Sequence, residues 1–176
     1  MDFLEIARNR QSCRAYDNTR PVEREKLLAC LEALRLAPSA CNAQPYRLTV
    51  AQGEVARQVG AATRSMGMNG FTQDVPVFLV IEESAYNFTA SAGAKVKGQD
   101  YRSVDIGIAT AYFTAEARAQ GLATCILGWF DEKKLQQILH TSGHIRLVVS
   151  VGYAKAGDAL RQKKRKALDG LVTWLG

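Results

Sequence analysis

Seven consecutive apolar residues, Val75 to Ile81, constrain this chain more than any other feature. The run is rich in β-branched side chains and has the length of a central β-strand. A membrane-spanning helix needs about 20 such residues, and this run is the longest in the chain, so no membrane association is expected. Pro76 must sit at the strand's start, because proline donates no ladder hydrogen bond.

The other elements follow from periodicity and punctuation. Asp2 is placed to cap a short helix carrying Phe3, Leu4, Ile6 and Ala7. A second helix is expected from Pro21, a favoured first-turn residue, with Leu27, Leu28, Leu31 and Leu34 at helical spacing and Pro38 as its stop. Tyr46, Leu48 and Val50 alternate with Arg47 and Thr49, which predicts a half-buried strand. Residues 54–62 read as a helix, 82–100 as a long loop, and 102–120 as a helix that is apolar nearly all round and therefore buried. Small residues at Gly107, Ala109 and Ala111 let another backbone approach that helix closely, and Gly121 ends it. Ala123–Leu127 and Ile145–Gly152 read as strands, separated by a helix that Asp131 caps. Roughly four strands and five helices in irregular order predict an α+β fold rather than a clean βαβ alternation. Neither a dinucleotide-binding glycine fingerprint nor a P-loop is present.

Composition sets the class. The chain has 176 residues, 47% hydrophobic and 23% charged, an ordinary globular balance that excludes a largely disordered or collagen-like protein. One domain over residues 1–176 is expected. The first residues show no basic segment followed by an apolar one, so a cytoplasmic location is the expectation. Of the net charge of +6, +5 lies between Lys155 and Lys166. A nucleic-acid reader spreads cations over a whole face, whereas cations this local suit one compact anion, so no nucleic-acid partner is expected.

Cys13, Cys30, Cys41 and Cys125 show no metal-knuckle or redox spacing, and Cys30 and Cys125 read as small core residues. His140 and His144 lack a third ligand, so no metal site is expected.

Three polar clusters interrupt the apolar pattern. In Arg10-Gln11-Ser12-Cys13-Arg14, the alternating Arg10, Ser12 and Arg14 point one way if the segment is extended. Two guanidinium forks and a hydroxyl suit phosphate or another oxyanion. Ser39-Ala40-Cys41-Asn42-Ala43-Gln44 lies between two prolines, which favours a preorganised hydrogen-bonding loop. Lys163-Lys164-Arg165-Lys166 is followed by Leu168, Leu171, Val172, Trp174 and Leu175, which read as anchors that pin the basic run. Taken singly, the clusters also fit a solvated turn, an ordinary connection and a solvated charge run.

Together the motifs resemble the FMN-dependent nitroreductase family. The resemblance is carried by R-x-S-x-R at Arg10–Arg14, A-P-S-x-x-N-x-Q-P at Ala37–Pro45, D-x-G-x-A at Asp105–Ala109, G-L-x-T-C-x-L-G at Gly121–Gly128 and K-x-R at Lys163–Arg165. These fall in the family's order and take in nearly the whole chain. Cys41 stands where a small residue is common, and Cys125-Ile126-Leu127-Gly128 has no acid before its glycine, as some members do.

The resemblance implies a mainly antiparallel sheet flanked by helices and an intertwined homodimer with two FMN sites at the interface. It implies that Arg10, Gln11, Ser12, Lys163 and Arg165 hold the phosphate and ribityl chain, with Arg14 at the pyrimidine edge of the ring. Pro38, Ser39, Ala40 and Asn42 would come from the other subunit, and Leu127 and Gly128 would line the ring face. The helix around Gly107 would pack at the dimer core. NADH or NADPH would reduce FMN, and a nitroaromatic, quinone or similar small acceptor would then take the electrons. No side chain need serve as a catalytic acid, because solvent reaches the site. Tyr86, Phe88 and Tyr101 are candidates for the substrate side or for solvated loop aromatics. A flavin-binding sensor or storage protein without turnover is the alternative, since the same anion contacts would serve it.

Overall fold

In a computed structural model describing residues 2–86 and 98–176, the longest strand organises the molecule. Strand β5 (Ile145–Ala154) pairs antiparallel with three others: β3 (Val77–Glu83), β4 (Ala123–Leu127) and β1 (Tyr16–Asp17). Strand β2 (Tyr46–Gln52) extends the sheet beyond β3, with Val50 opposite Leu79. The helices are α1 (Phe3–Asn9), α2 (Arg24–Arg35), α3 (Gly53–Thr63), α4 (Tyr101–Ala119) and α5 (Glu132–Leu139). None of the helices among the described residues is long and apolar enough to cross a membrane.

The unbroken apolar run is explained by helices on both faces of the sheet. Val77, Leu79 and Ile81 point into a core shared with Cys30 and Leu34 of α2 and with Ile106 and Phe113 of α4. Phe78 and Val80, one residue out of step, point into a second core with Val59 of α3 and Leu135 of α5. Successive strand residues face opposite ways, so the stretch Val77–Ile81, covered on both sides, is apolar throughout, and polar residues return only at the half-buried Glu82 and Glu83. Cys30 and Cys125 are core residues as expected, and Cys13 is buried in the same core as Cys125.

Several boundaries differ from the expectation. Helix α2 begins at Arg24 rather than Pro21, because Glu23 is extended (φ −68°, ψ 135°) and the approach to the helix carries Val22 into the core. The apolar run starts its strand at Val77, just after Pro76, and β3 continues to Glu83. Strand β1 is an addition of two residues, too short for any periodicity to reveal. Asp2 and Asp131 cap α1 and α5 as expected, accepting from the N–H groups of Glu5 at 2.7 Å and Lys134 at 3.1 Å.

Two expectations about burial are corrected. Helix α4 was expected to be buried all round. It buries Ile106, Ala109, Phe113 and Ala117, while Val104 and Tyr112 are exposed, as are the small Gly107 and Ala111. The sheet and α2 cover only one side of it. Of the anchors after the basic run only Val172 is half-buried; among the described residues Leu168, Leu171, Trp174 and Leu175 stand exposed, Trp174 at 87% and Leu175 at 93%. Beyond β5 the chain runs without regular structure except for a single turn at Leu168–Gly170. Two apolar surfaces are therefore left uncovered among the described residues.

Candidate functional site

Residues 10–14 leave α1 in extended backbone and lie along β4. Ser12 bridges Thr124 in parallel, and the Cys13 N–H donates to the Thr124 carbonyl at 2.9 Å. The C-terminal segment returns from β5 to the same place. Gln11 donates its amide to the Ala159 carbonyl at 3.2 Å and accepts from the Arg161 N–H at 2.9 Å. Arg161 donates to the Ser12 carbonyl, and the Lys163 ammonium donates to the Arg10 carbonyl. Asp158 balances Arg161 at 3.4 Å and lies 3.7 Å from the Cys13 thiol.

These contacts gather Arg10, Arg14, Arg161, Lys163, Lys164 and Arg165 around one open cavity of about 390 Å³, which Gln11 and Ser12 also line. Partial burial, then the positive charges of Arg10, Arg165 and Arg161, hold the Lys163 ammonium below its ordinary range. Burial pushes the Cys125 thiol of β4 up, while a Ser12 hydrogen bond and the charges of Arg14, Arg10 and Arg161 pull it back. Cations so crowded, with one carboxylate among them, form a site for an anion carrying more than one charge.

The cavity shares a wall residue with another. Arg10 also lines a groove of about 640 Å³ walled by Phe3 and Ile6 of α1 and Ala111 and Tyr112 of α4. Gly107 lines that groove and also a third cavity of about 720 Å³, which Gly128, Trp129 and Arg146 border. Three cavities thus follow one another from the cations past α4 to Gly128, each sharing one wall residue with the next, and together they make up the trough. No heavy atom lies within 4 Å of where a Cβ would stand on Gly107 or Gly128, so both glycines leave its wall open. Beside Gly128, Asn69 donates to the Trp129 carbonyl at 3.1 Å, and the Trp129 indole N–H donates to the Ser65 carbonyl at 3.3 Å.

The single chain therefore brings together Arg10, Gln11, Ser12, Arg14, Lys163 and Arg165, with Gly128 at the far end of the trough. Leu127 is buried in the second core and lines none of the three cavities. Pro38, Ser39, Ala40 and Asn42 line none of them either. Their loop is tied instead to Asp105 of α4, whose carboxylate accepts from the Ala40 N–H at 3.0 Å. The Tyr86 hydroxyl donates to the same carboxylate at 2.8 Å, so Tyr86 is fixed to α4. Tyr101 opens α4, and Phe88 lies outside the described residues.

Sequence reasoning missed Arg161, which lies two residues before the K-x-R motif. Its signal was membership of the basic segment, but only the contact with Ser12 shows its use. Gln11, expected to meet the ligand, lines the cavity and also gives one amide N–H and its oxygen to bonds with the C-terminal segment.

Fold and site together define an α+β protein whose chain ends build one cationic end of an elongated trough. The nitroreductase family model matches residues 7–153, and the chain belongs to the nitroreductase family. It is 24% identical over 205 aligned residues to YdgI of Bacillus subtilis strain 168, a protein named as an NAD(P)H nitroreductase, covering 98% of this chain and 97% of the relative. A shorter stretch of 50 residues, 28% of this chain and 23% of the relative, is 40% identical to the major NAD(P)H-flavin oxidoreductase of Aliivibrio fischeri. The fold matches a nitroreductase of Exiguobacterium sibiricum solved in complex with FMN, with a TM-score of 0.81, 20% identity and coverage of 99% and 98% of the two chains. It also matches the FMN and NADPH-dependent nitroreductase NfnB of Sphigopyxis sp. strain HMH, with a TM-score of 0.82, 19% identity and full coverage of both chains.

Proposed function

We propose that this chain is an FMN-dependent NAD(P)H oxidoreductase that passes electrons to a nitroaromatic, quinone or similar small acceptor. One observation carries the reading: cations from both ends of the chain meet at one end of a trough that leads to Gly128. The residues present fit FMN. A phosphate near two negative charges suits the cluster of Arg10, Lys163 and Arg165, with Arg161 added. Arg14 lies at the same end, where its charge favours an anionic group. Small residues at Gly107 and Gly128 leave room for a flat ring.

Held by Arg10, Lys163 and Arg165, FMN would supply the redox chemistry between NADH or NADPH and the acceptor. The chain's own residues bind and orient. Gln11 and Arg161 fix the C-terminal segment, Lys163 and Arg165 neutralise the phosphate, and the open trough admits donor and acceptor in turn.

A homodimer is part of the proposal. The exposed face of α4 and the exposed Trp174 and Leu175 are apolar surfaces of the kind that association buries. Pro38, Ser39, Ala40 and Asn42, which line none of their own chain's cavities, would complete the partner's site. Sedimentation that gives a single-chain mass would overturn this part.

The purified protein is expected to be yellow, to bleach with NAD(P)H without oxygen and to recover colour with a quinone. A colourless protein that gains no visible absorbance with added FMN overturns the reading. Bound flavin that NAD(P)H leaves oxidised would favour a sensor or storage protein instead.

A further inference from the structure

We propose that Asp105 is a positioning residue that presets the 38–45 loop for flavin binding; this rests on the FMN reading above. Asp105 is only 3% exposed and forms no ion pair among the described residues. A buried carboxylate without a cation is costly unless its hydrogen bonds are satisfied. Two donors from distant segments satisfy this one: the Ala40 N–H at 3.0 Å and the Tyr86 hydroxyl at 2.8 Å. The Tyr46 hydroxyl, at the start of β2, is also buried near the carboxylate and has no hydrogen-bond partner among the described residues. Asp105 thus joins the loop, the chain beyond β3 and α4 at one point.

The loop it holds is not relaxed. Cys41, Asn42 and Gln44 all have left-handed backbone, with φ of 51°, 51° and 40°. Side chains other than glycine rarely adopt that region, and a cluster of such residues persists only where the surroundings impose it. Ser39 accepts from the Gln44 N–H at 3.0 Å, and the Gln44 amide donates to Asn42 Oδ1 at 2.6 Å. These bonds shape the loop internally, whereas Asp105 fixes it to the rest of the molecule. The anchor lies on α4 between Ser103 and Gly107, both of which line the cavity at the Gly128 end of the trough. Loop and cavity wall therefore share one rigid helix, and the loop is held in its binding shape before any ligand arrives. An ordinary connection would need neither a buried carboxylate nor imposed left-handed residues.

The test compares two ligands. Inorganic phosphate probes the cation cluster alone, and FMN probes the cluster and the loop together. Asp105→Ala is expected to bind inorganic phosphate as the wild type does while its FMN dissociation constant rises about 10- to 100-fold, the range for one lost buried acceptor. Asp105→Asn keeps an oxygen for the Ala40 N–H and is expected to stay within about threefold of the wild type, a rescue that loss of a charge would not allow. In the flavin-free wild type, the Ala40 amide is expected to exchange with solvent slowly, a measurement that stands even if Asp105→Ala does not fold. FMN affinity unchanged in Asp105→Ala, equal loss of both ligands, no rescue by asparagine, or fast exchange at Ala40 until FMN is added would each overturn the proposal. A wild type that binds no FMN would instead overturn the reading beneath it.

Discussion

Gln11 and Arg161 lie 150 residues apart in sequence and are joined by a 2.9 Å hydrogen bond from the Arg161 N–H to the Gln11 side chain. A second bond, from the Gln11 amide to the Ala159 carbonyl, makes this residue a clasp that holds the basic segment against β4. The clasp holds together two segments that both carry cations, so its strength and the presence of an anion are linked.

Gln11→Ala is therefore expected to release the C-terminal segment without unfolding the body. Two lost hydrogen bonds at about 0.5–1.5 kcal/mol each predict a drop in FMN affinity of about fivefold or more. Limited trypsin digestion should cut first at Lys163–Lys166, faster than in the wild type, and added FMN should slow the cut. Equal cutting rates in variant and wild type would refute the clasp.

Lys163 gives a proton prediction. Its ammonium is held below the ordinary 10.5 by partial burial and neighbouring cations. A bound dianion offsets that repulsion and raises the value again. FMN binding at alkaline pH, between the lowered value and 10.5, is expected to take up protons. Calorimetry in buffers of differing ionisation enthalpy measures the uptake, and Lys163→Met should abolish it while raising the dissociation constant about tenfold or more.

Glu132 couples stability to acid pH. Desolvation pushes its carboxyl up, but the Ile145 N–H at 2.8 Å and His144 at 2.6 Å draw it below the ordinary 4.5. A carboxyl lowered by folding stabilises the protein above the unfolded value and loses that contribution as pH falls through the folded one. The wild type is therefore expected to lose stability below about pH 4.5 more steeply than Glu132→Gln. Urea midpoints across that range check the slope, and parallel curves would refute the assignment.

Gly152 of β5 is expected to tolerate no side chain. A Cβ there would lie 2.9 Å from both Pro76 Cδ and Tyr16 Cδ1, two stiff rings. Gly152→Ala should cost about 1–3 kcal/mol of overpacking, read as a lowered denaturation midpoint. At Gly107, inside α4, where a Cβ meets no heavy atom of the described residues within 4 Å, alanine should instead raise the single chain's stability by about 0.5–1 kcal/mol.

By itself, the sequence determined the elements, because their causes are local. The run at Val75–Ile81 made strand β3, Asp2 and Asp131 made caps, and the motifs named most of the cations that line one cavity. Two-residue β1 left no periodic trace, and the start of α2 was decided by the burial of Val22. Tertiary structure alone decided what each polar group does. Gln11 serves as a clasp, Arg161 joins the cluster and Asp105 holds a loop, because each role depends on a partner far along the chain. The same holds for α4: its composition foretold burial all round, but only the packing reveals that one chain supplies a single side of the cover. Propensity and pattern act over a few residues, whereas which donors meet which acceptors is settled only when the sheet brings distant segments into contact.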